Sequence, residues 1–225
     1  FEDPRHPYTR ALLAAVPSVI GAVLIIIFIK ERKAGKLHRG IRFRDFDRNF
    51  LLFLVLSGIF ALGYFSYSFF LVFASQSGFE LTAVPILYLI FSLMAAVFSL
   101  PFGKLADRIG RKWVLWVAFA LFGLAAWGFT LNPGFWGIIL LFALYGIQRG
   151  AMEPVQRTYA SELAPTQFRA SALGAYQMVI GIMALPASVI AGLLWVLVGM
   201  DAPFFLSAVL SLIAIVMLIF VRETA

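Results

Sequence analysis

The chain has 225 residues, of which 62% are hydrophobic and 13% charged, with a formal charge of +7 and no cysteine. Soluble domains carry about 25% charged residues, so this composition excludes an ordinary soluble fold and points to an all-α, polytopic membrane protein. Without cysteine there is no disulfide framework, thiol nucleophile or cysteine-based metal site.

Residues 1–10 are polar and hold Pro4 and Pro7, unlike a cleavable signal peptide. The first predicted span is 11–29, close to the roughly 20 apolar residues that cross ~30 Å of hydrocarbon. Residues 30–49 follow with eight basic and three acidic side chains. In that basic middle loop Ile41, Phe43, Phe46 and Phe50 are spaced for one helical face. It reads either as a short amphipathic helix at the headgroups or as a plain charged linker.

The second span is predicted over 50–74, with 75–82 as its outer turn, and the third over 83–102, entering near Pro85. Residues 103–112 then read Gly-Lys-Leu-Ala-Asp-Arg-Ile-Gly-Arg-Lys, a tight hydrophilic turn between two apolar runs. Gly103 and Gly110 would let the chain turn and let two helices approach. Asp107 and Arg108 can pair with each other or with helix ends, and Arg111 and Lys112 would hold the turn on the cytoplasmic side. The fourth span is 113–131, closed by Asn132-Pro-Gly134. The fifth runs from Phe135 into a polar stretch starting at Gln148. The sixth is 171–198 and the seventh 204–221, separated by a turn at 199–203.

The sixteen Lys and Arg from Lys30 onward test this layout. They fall in 30–49, 103–112, 149–169 and at Arg222, and none falls in 75–82, 132–134 or 199–203. Alternate connections are basic, which is the positive-inside pattern with a cytoplasmic C-terminus. The same placement argues against nucleic acid as the partner of the positive charge. His6 and His38 stand among loop charges and read as solvated, so no metal or cofactor is expected.

The pattern at Gly103, Asp107, Arg108, Gly110, Arg111 and Lys112 resembles the signature loop of the major facilitator superfamily of secondary transporters. In that family the loop lies between the second and third helices of a six-helix half, on the cytoplasmic side. The segment 26–32, Ile-Ile-Phe-Ile-Lys-Glu-Arg, echoes 218–224, Leu-Ile-Phe-Val-Arg-Glu-Thr. Such an echo fits the ends of the two related halves. The resemblance therefore implies the last helix of a first half (11–29), a middle loop (30–49) and a complete second half (50–225). Further stretches, among them Phe60-Ala-Leu-Gly63, Leu144-Tyr-Gly146 and the run from Ala184 to Trp195, are similar to a drug- or quinolone-resistance-like branch. Residues 4–17 instead resemble the C-terminal region of peptide ABC transporter ATP-binding subunits, which suggests a junction or truncation near 11–17. No phosphate-binding Gly-x-x-x-x-Gly-Lys-Ser/Thr loop occurs.

Two sets of residues are candidates for function. Arg149 and Glu153 share a helical face at i, i+4, as do Glu153 and Arg157. Arg149 stands fourteen residues past Phe135, roughly 21 Å along a helix, and reads either as half of a structural ion pair at the cytoplasmic gate or as part of a substrate or proton site. The spacing from Glu162 to Arg169 resembles that of sugar-porter-like members, which implies that Glu153 or Glu162 faces Arg111 and that Arg169 joins them. The second set, suited to a cavity wall, comprises Tyr64, Tyr67, Tyr88, Tyr145, Gln148 and Gln177, with Ser57, Ser68, Ser92 and Tyr176 beside them. Aromatic walls suit an amphipathic or aromatic compound, cations included. Gly174, Gly181, Ala187 and Gly192 read as close-packing positions.

The function implied is export of a small molecule by alternating access in the inner membrane. The partners implied are the lipid bilayer and either the missing first half or a second copy. The alternative is a membrane anchor or permease-like partner of an ABC ATPase. An enzyme is not indicated, because no catalytic constellation is present.

Overall fold

The computed structural model describes residues 46–80 and 82–222, all within one compact unit, Arg42–Ala225. The span at 11–29, the junction near 11–17 and most of the 30–49 loop lie outside the described residues. Of the proposed amphipathic face, Phe46 and Phe50 are described; both are buried and their rings lie 4.7 Å apart.

In hydrocarbon a backbone must satisfy its own polar groups, so long apolar runs become helices. The described residues form α1 (Arg48–Gly63), α2 (Ser68–Gln76), α3 (Val84–Ile109), α4 (Arg111–Phe129), α5 (Phe135–Glu162), α6 (Arg169–Leu197) and α7 (Ala202–Phe220), with a 3-10 turn at Thr166–Phe168. Taking α1 and α2 as one span, six helical spans are long and apolar enough to cross a membrane. This matches the six spans expected from 50 to 221, and the fold is all-helical as expected.

Two details differ from the expectation. The span predicted as continuous over 50–74 is broken at residues 64–67 between α1 and α2. A break at membrane depth strands carbonyls, and here they find donors. Tyr64 N–H donates to Ala61 O at 3.1 Å, and the Ser207 hydroxyl of α7 donates to Gly63 O at 2.6 Å. One turn further along α7, Ser211 donates to Phe119 O of α4 at 2.6 Å. The second difference concerns 103–112, which is not an open turn. Helix α3 continues to Ile109, and Gly110 is the single residue between α3 and α4. Its φ of 98° is a conformation L side chains rarely adopt. Gly103 instead lies inside α3 with open space where a side chain would go.

Helices α3 and α5 make the most extensive contact in the bundle. Gly146 and Gly150, four residues apart on α5, permit it. A Cβ at Gly146 would strike the Phe91 carbonyl, and one at Gly150 would lie 2.5 Å from Ala95 O. Small residues at this spacing let backbones approach where apolar burial against lipid gives no driving force. Gly174, Gly181 and Gly192 of α6, expected to pack closely, face open space; Ala187 is buried. The outer faces of α3 and α6 are the least covered: 11% of the apolar stretch of each is buried, against 50% for α5.

One end of the bundle gathers most of the basic side chains. The Asn49 amide donates to Arg222 O at 2.6 Å, and Arg222 N–H returns a bond to Asn49 Oδ1 at 2.8 Å. Lys112 donates to Ile219 O at 3.1 Å and to Val221 O at 2.6 Å. These carbonyls end α7 and have no intrahelical donors, so a cation there is doubly favourable.

Candidate functional site

Helix α5 continues thirteen residues beyond Arg149. Arg149 therefore stands halfway along a 28-residue helix. Pro154 lies inside the helix without ending it. Arg149, Glu153 and Arg157 form a ladder up one face. Arg149 Nε lies 3.3 Å from Glu153 Oε2, and Arg157 Nη2 lies 2.8 Å from Glu153 Oε1. One carboxylate thus serves two guanidinium groups.

The ladder borders two hollows. One, of about 160 Å³, lies between α1, α5 and α6 and is walled by Phe60, Tyr64, Gln156, Tyr176 and Gln177 with the three charged residues. The other, of about 390 Å³, lies between α3 and α5 beside Ala95, Ser99 and Pro154. Arg149 also sits over the Phe91 ring, its Cζ 5.5 Å from the centroid, a cation–π geometry.

Of the six cavity candidates, Tyr64 and Gln177 line the smaller hollow. Tyr64 is the first residue of the helix break; its ring stacks on Phe60 at 5.5 Å. Its hydroxyl is buried without a hydrogen bond of good geometry, with Tyr145 and Arg149 as its polar neighbours. Tyr145 is core: it is buried and stacks on Phe70 at 4.5 Å and on Phe91 at 4.7 Å. Gln148 is fully buried, donates to Met152 Sδ at 3.2 Å, and leaves Oε1 without a partner. Tyr67 and Tyr88 lie elsewhere, half exposed, their tilted rings 5.1 Å apart next to Phe91. Gln156 went unnoticed in the sequence; its amide donates to the buried Ser57 hydroxyl at 3.4 Å. The only signal for it was position, three residues past Glu153 on the same helix.

The charged residues of the basic end make a separate cluster. Arg111 pairs with Asp107 at 3.0 Å, one turn back across Gly110, and with Glu162 at the end of α5. Of the two acids weighed for Arg111, Glu162 is the one that reaches it; Glu153 stays with its own helix. Arg108 is exposed, and Arg169, expected to join Arg111, is exposed and makes no ion pair among the described residues. The single network expected from 149 to 169 is thus two: a ladder along the middle of α5 and a clasp at the end of the bundle.

Known proteins are similar to this chain in sequence. An uncharacterized MFS-type transporter of Methanocaldococcus jannaschii is 34% identical over 225 residues, covering 95% of this chain and 56% of that protein. The inner membrane transport protein YajR of Escherichia coli is 34% identical over 59% of this chain and 29% of its own length. A D-xylose transporter of Levilactobacillus brevis is 31% identical over 35% of this chain and 17% of its own length. The chain therefore spans about half, or less, of the length of these relatives. The family profile described as Major Facilitator Superfamily matches residues 51–225. With its run of membrane-length helices, this multi-pass membrane protein belongs to the major facilitator superfamily.

Proposed function

We propose that the chain forms part of a secondary transporter that exports a small amphipathic molecule by alternating access, with the smaller hollow as part of the substrate path. The observation that carries this reading is the hollow itself: aromatic walls and three charges, halfway along a membrane-length helix and beside a broken one. Discontinuous helices at the midplane are where transporters bind cargo, and ionisable groups at that depth are costly unless used. The surroundings of Phe60, Tyr64 and Tyr176 suit a cargo with an apolar or aromatic body. Residues 50–225 act as the second half of the transporter and 11–29 as the last helix of the first, in the inner membrane with a cytoplasmic C-terminus.

Alternating access needs two halves rocking about a shared site. The uncovered faces of α3 and α6 favour a further helical layer there, supplied by a first half or by a second copy. In this scheme the Arg111–Glu162–Asp107 clasp closes the cytoplasmic side and parts as the halves rock. A role as anchor for an ABC ATPase rests on residues 4–17 alone, outside the described residues.

The test is reconstitution. In liposomes the 225-residue chain by itself should show no saturable uptake of an amphipathic dye, and co-expression with a first half should restore it. Saturable uptake by the chain as a monomer would overturn the two-half requirement. Absence of transport by the paired halves would overturn the function.

A further inference from the structure

The charge of the two hollows has a sign, and it bears on what they hold. Arg149, Glu153 and Arg157 are the charged side chains lining either hollow among the described residues. They leave one positive charge uncompensated. Glu153 spends both oxygens on the two arginines, one bond each. Arg149 spends only Nε on it, at 3.3 Å, so its terminal NH₂ groups keep their donors. A guanidinium presents such donors as a fork that fits a carboxylate with two parallel bonds. Beside it, the Tyr64 hydroxyl is buried without a hydrogen bond of good geometry, Tyr145 and Arg149 being its polar neighbours. A buried donor so poorly paired is costly, and an arriving anion would supply a better acceptor.

We infer that the cargo of this site carries a carboxylate on an aromatic or apolar body, the carboxylate held by Arg149 and the Tyr64 hydroxyl, the body lying against Phe60 and Tyr176. This rests on the hollow being the substrate path and adds the charge of the substrate. Glu153 is then a built-in competitor. It holds the empty arginines in place and limits how tightly a foreign carboxylate binds, so that cargo can leave. A cationic cargo would have the roles reversed: Glu153 would be its counter-ion, and the arginines would repel it.

The two cases predict opposite effects of one substitution. The chain, co-expressed with a first half, is placed in nanodiscs of phosphatidylcholine alone, so that no anionic headgroup competes. Binding of 2-naphthylacetate, 2-naphthylethanol and 2-naphthylethylamine is read by equilibrium dialysis. These probes share the body and differ in charge. The acetate should bind roughly ten-fold tighter than the amine. Arg149→Gln should weaken the acetate by about 10- to 100-fold and leave the alcohol unchanged. Arg149→Lys, which keeps the charge and loses the fork, should fall between. Glu153→Gln should tighten the acetate several-fold.

Tighter binding of the amine, or loss of amine binding in Glu153→Gln, would overturn the carboxylate assignment. It would leave the hollow as the site, provided Tyr176→Ala still weakens all three probes. Insensitivity of every probe to Tyr176→Ala and Arg149→Gln, or no binding of any probe, would overturn the site as well. Far-UV circular dichroism of each variant separates loss of binding from loss of fold.

Discussion

The crossing of α3 and α5 can be tested by adding one methyl group. Gly150→Ala would place a Cβ 2.5 Å from the Ala95 carbonyl oxygen and 3.1 Å from Ser99 N. Both are backbone atoms, which cannot swing aside. Ordinary contact begins at 3.4 Å, so the helices must part by about 0.9 Å, and overpacking of this kind costs roughly 1–3 kcal/mol. Against it stands the better helix propensity of alanine, about 1 kcal/mol. Gly174→Ala on α6 supplies the control: it brings the same propensity gain into open space. The propensity then cancels between the two variants, and the crowding cost alone should separate them by about 1–3 kcal/mol. Unfolding of the chain in mixed micelles, followed by far-UV circular dichroism as the denaturing detergent fraction rises, measures that gap. Gly150→Ala should be the less stable of the two. A gap below about 0.5 kcal/mol, within the additivity error of such comparisons, would mean that α3 and α5 do not cross where described. The same separation would lift Phe91 from beneath Arg149, so probe binding to the hollow should weaken in parallel.

Other consequences are as direct. Ser207→Ala removes the donor to Gly63 O at the helix break and should cost roughly 0.6–1.7 kcal/mol, the span for hydrogen bonds measured within membranes; Ser207→Thr should recover most of it in the same unfolding assay. Arg111→Gln and Glu162→Gln should each destabilise by no more than about 1 kcal/mol, because the pair is partly solvated, and a double-mutant cycle should show coupling that fades in high salt. Lys112→Met should cost about 0.3–1 kcal/mol and speed hydrogen exchange at the last turn of α7, while exchange at its first turn stays unchanged. Because the chain has no cysteine, single Cys substitutions at Ser77, Met200 and Arg108 report sidedness without background. An impermeant maleimide should label the first two from outside intact cells and the third only after permeabilisation.

The spans could be read from the sequence because each is a long apolar run and the basic residues segregate to alternate connections. Their ends could not. Gly103 and the charges at 104–112 read as a turn, yet Lys104 to Arg108 includes good helix formers and the helix simply continues to Ile109. The break after Gly63 was hidden for the opposite reason. Residues 60–70 are almost uniformly apolar or aromatic, and hydropathy does not register a helix that stops and restarts; the donor from Ser207 lies 144 residues away. The pairing of Arg149 with Glu153 followed from i, i+4 spacing alone. Membership of the hollow by Gln156 depends on α1, α5 and α6 converging, which no local pattern records, whereas Tyr176 and Gln177 are legible as polar groups suited to a cavity wall. Arg111 and Glu162 met as the resemblance implied, while Arg169 did not, since the 3-10 turn at Thr166–Phe168 precedes it and its side chain is left in the open.

The reciprocal amide pairing of Asn49 with Arg222 sets the entry to α1 beside the exit from α7. The order in which the six spans are threaded is therefore separable from their arrangement. A short linker could join residue 222 to residue 46, with new ends opened in the outer turn near Gly78. Such a circular permutant should reach the same bundle with its tails moved to the opposite face of the bilayer.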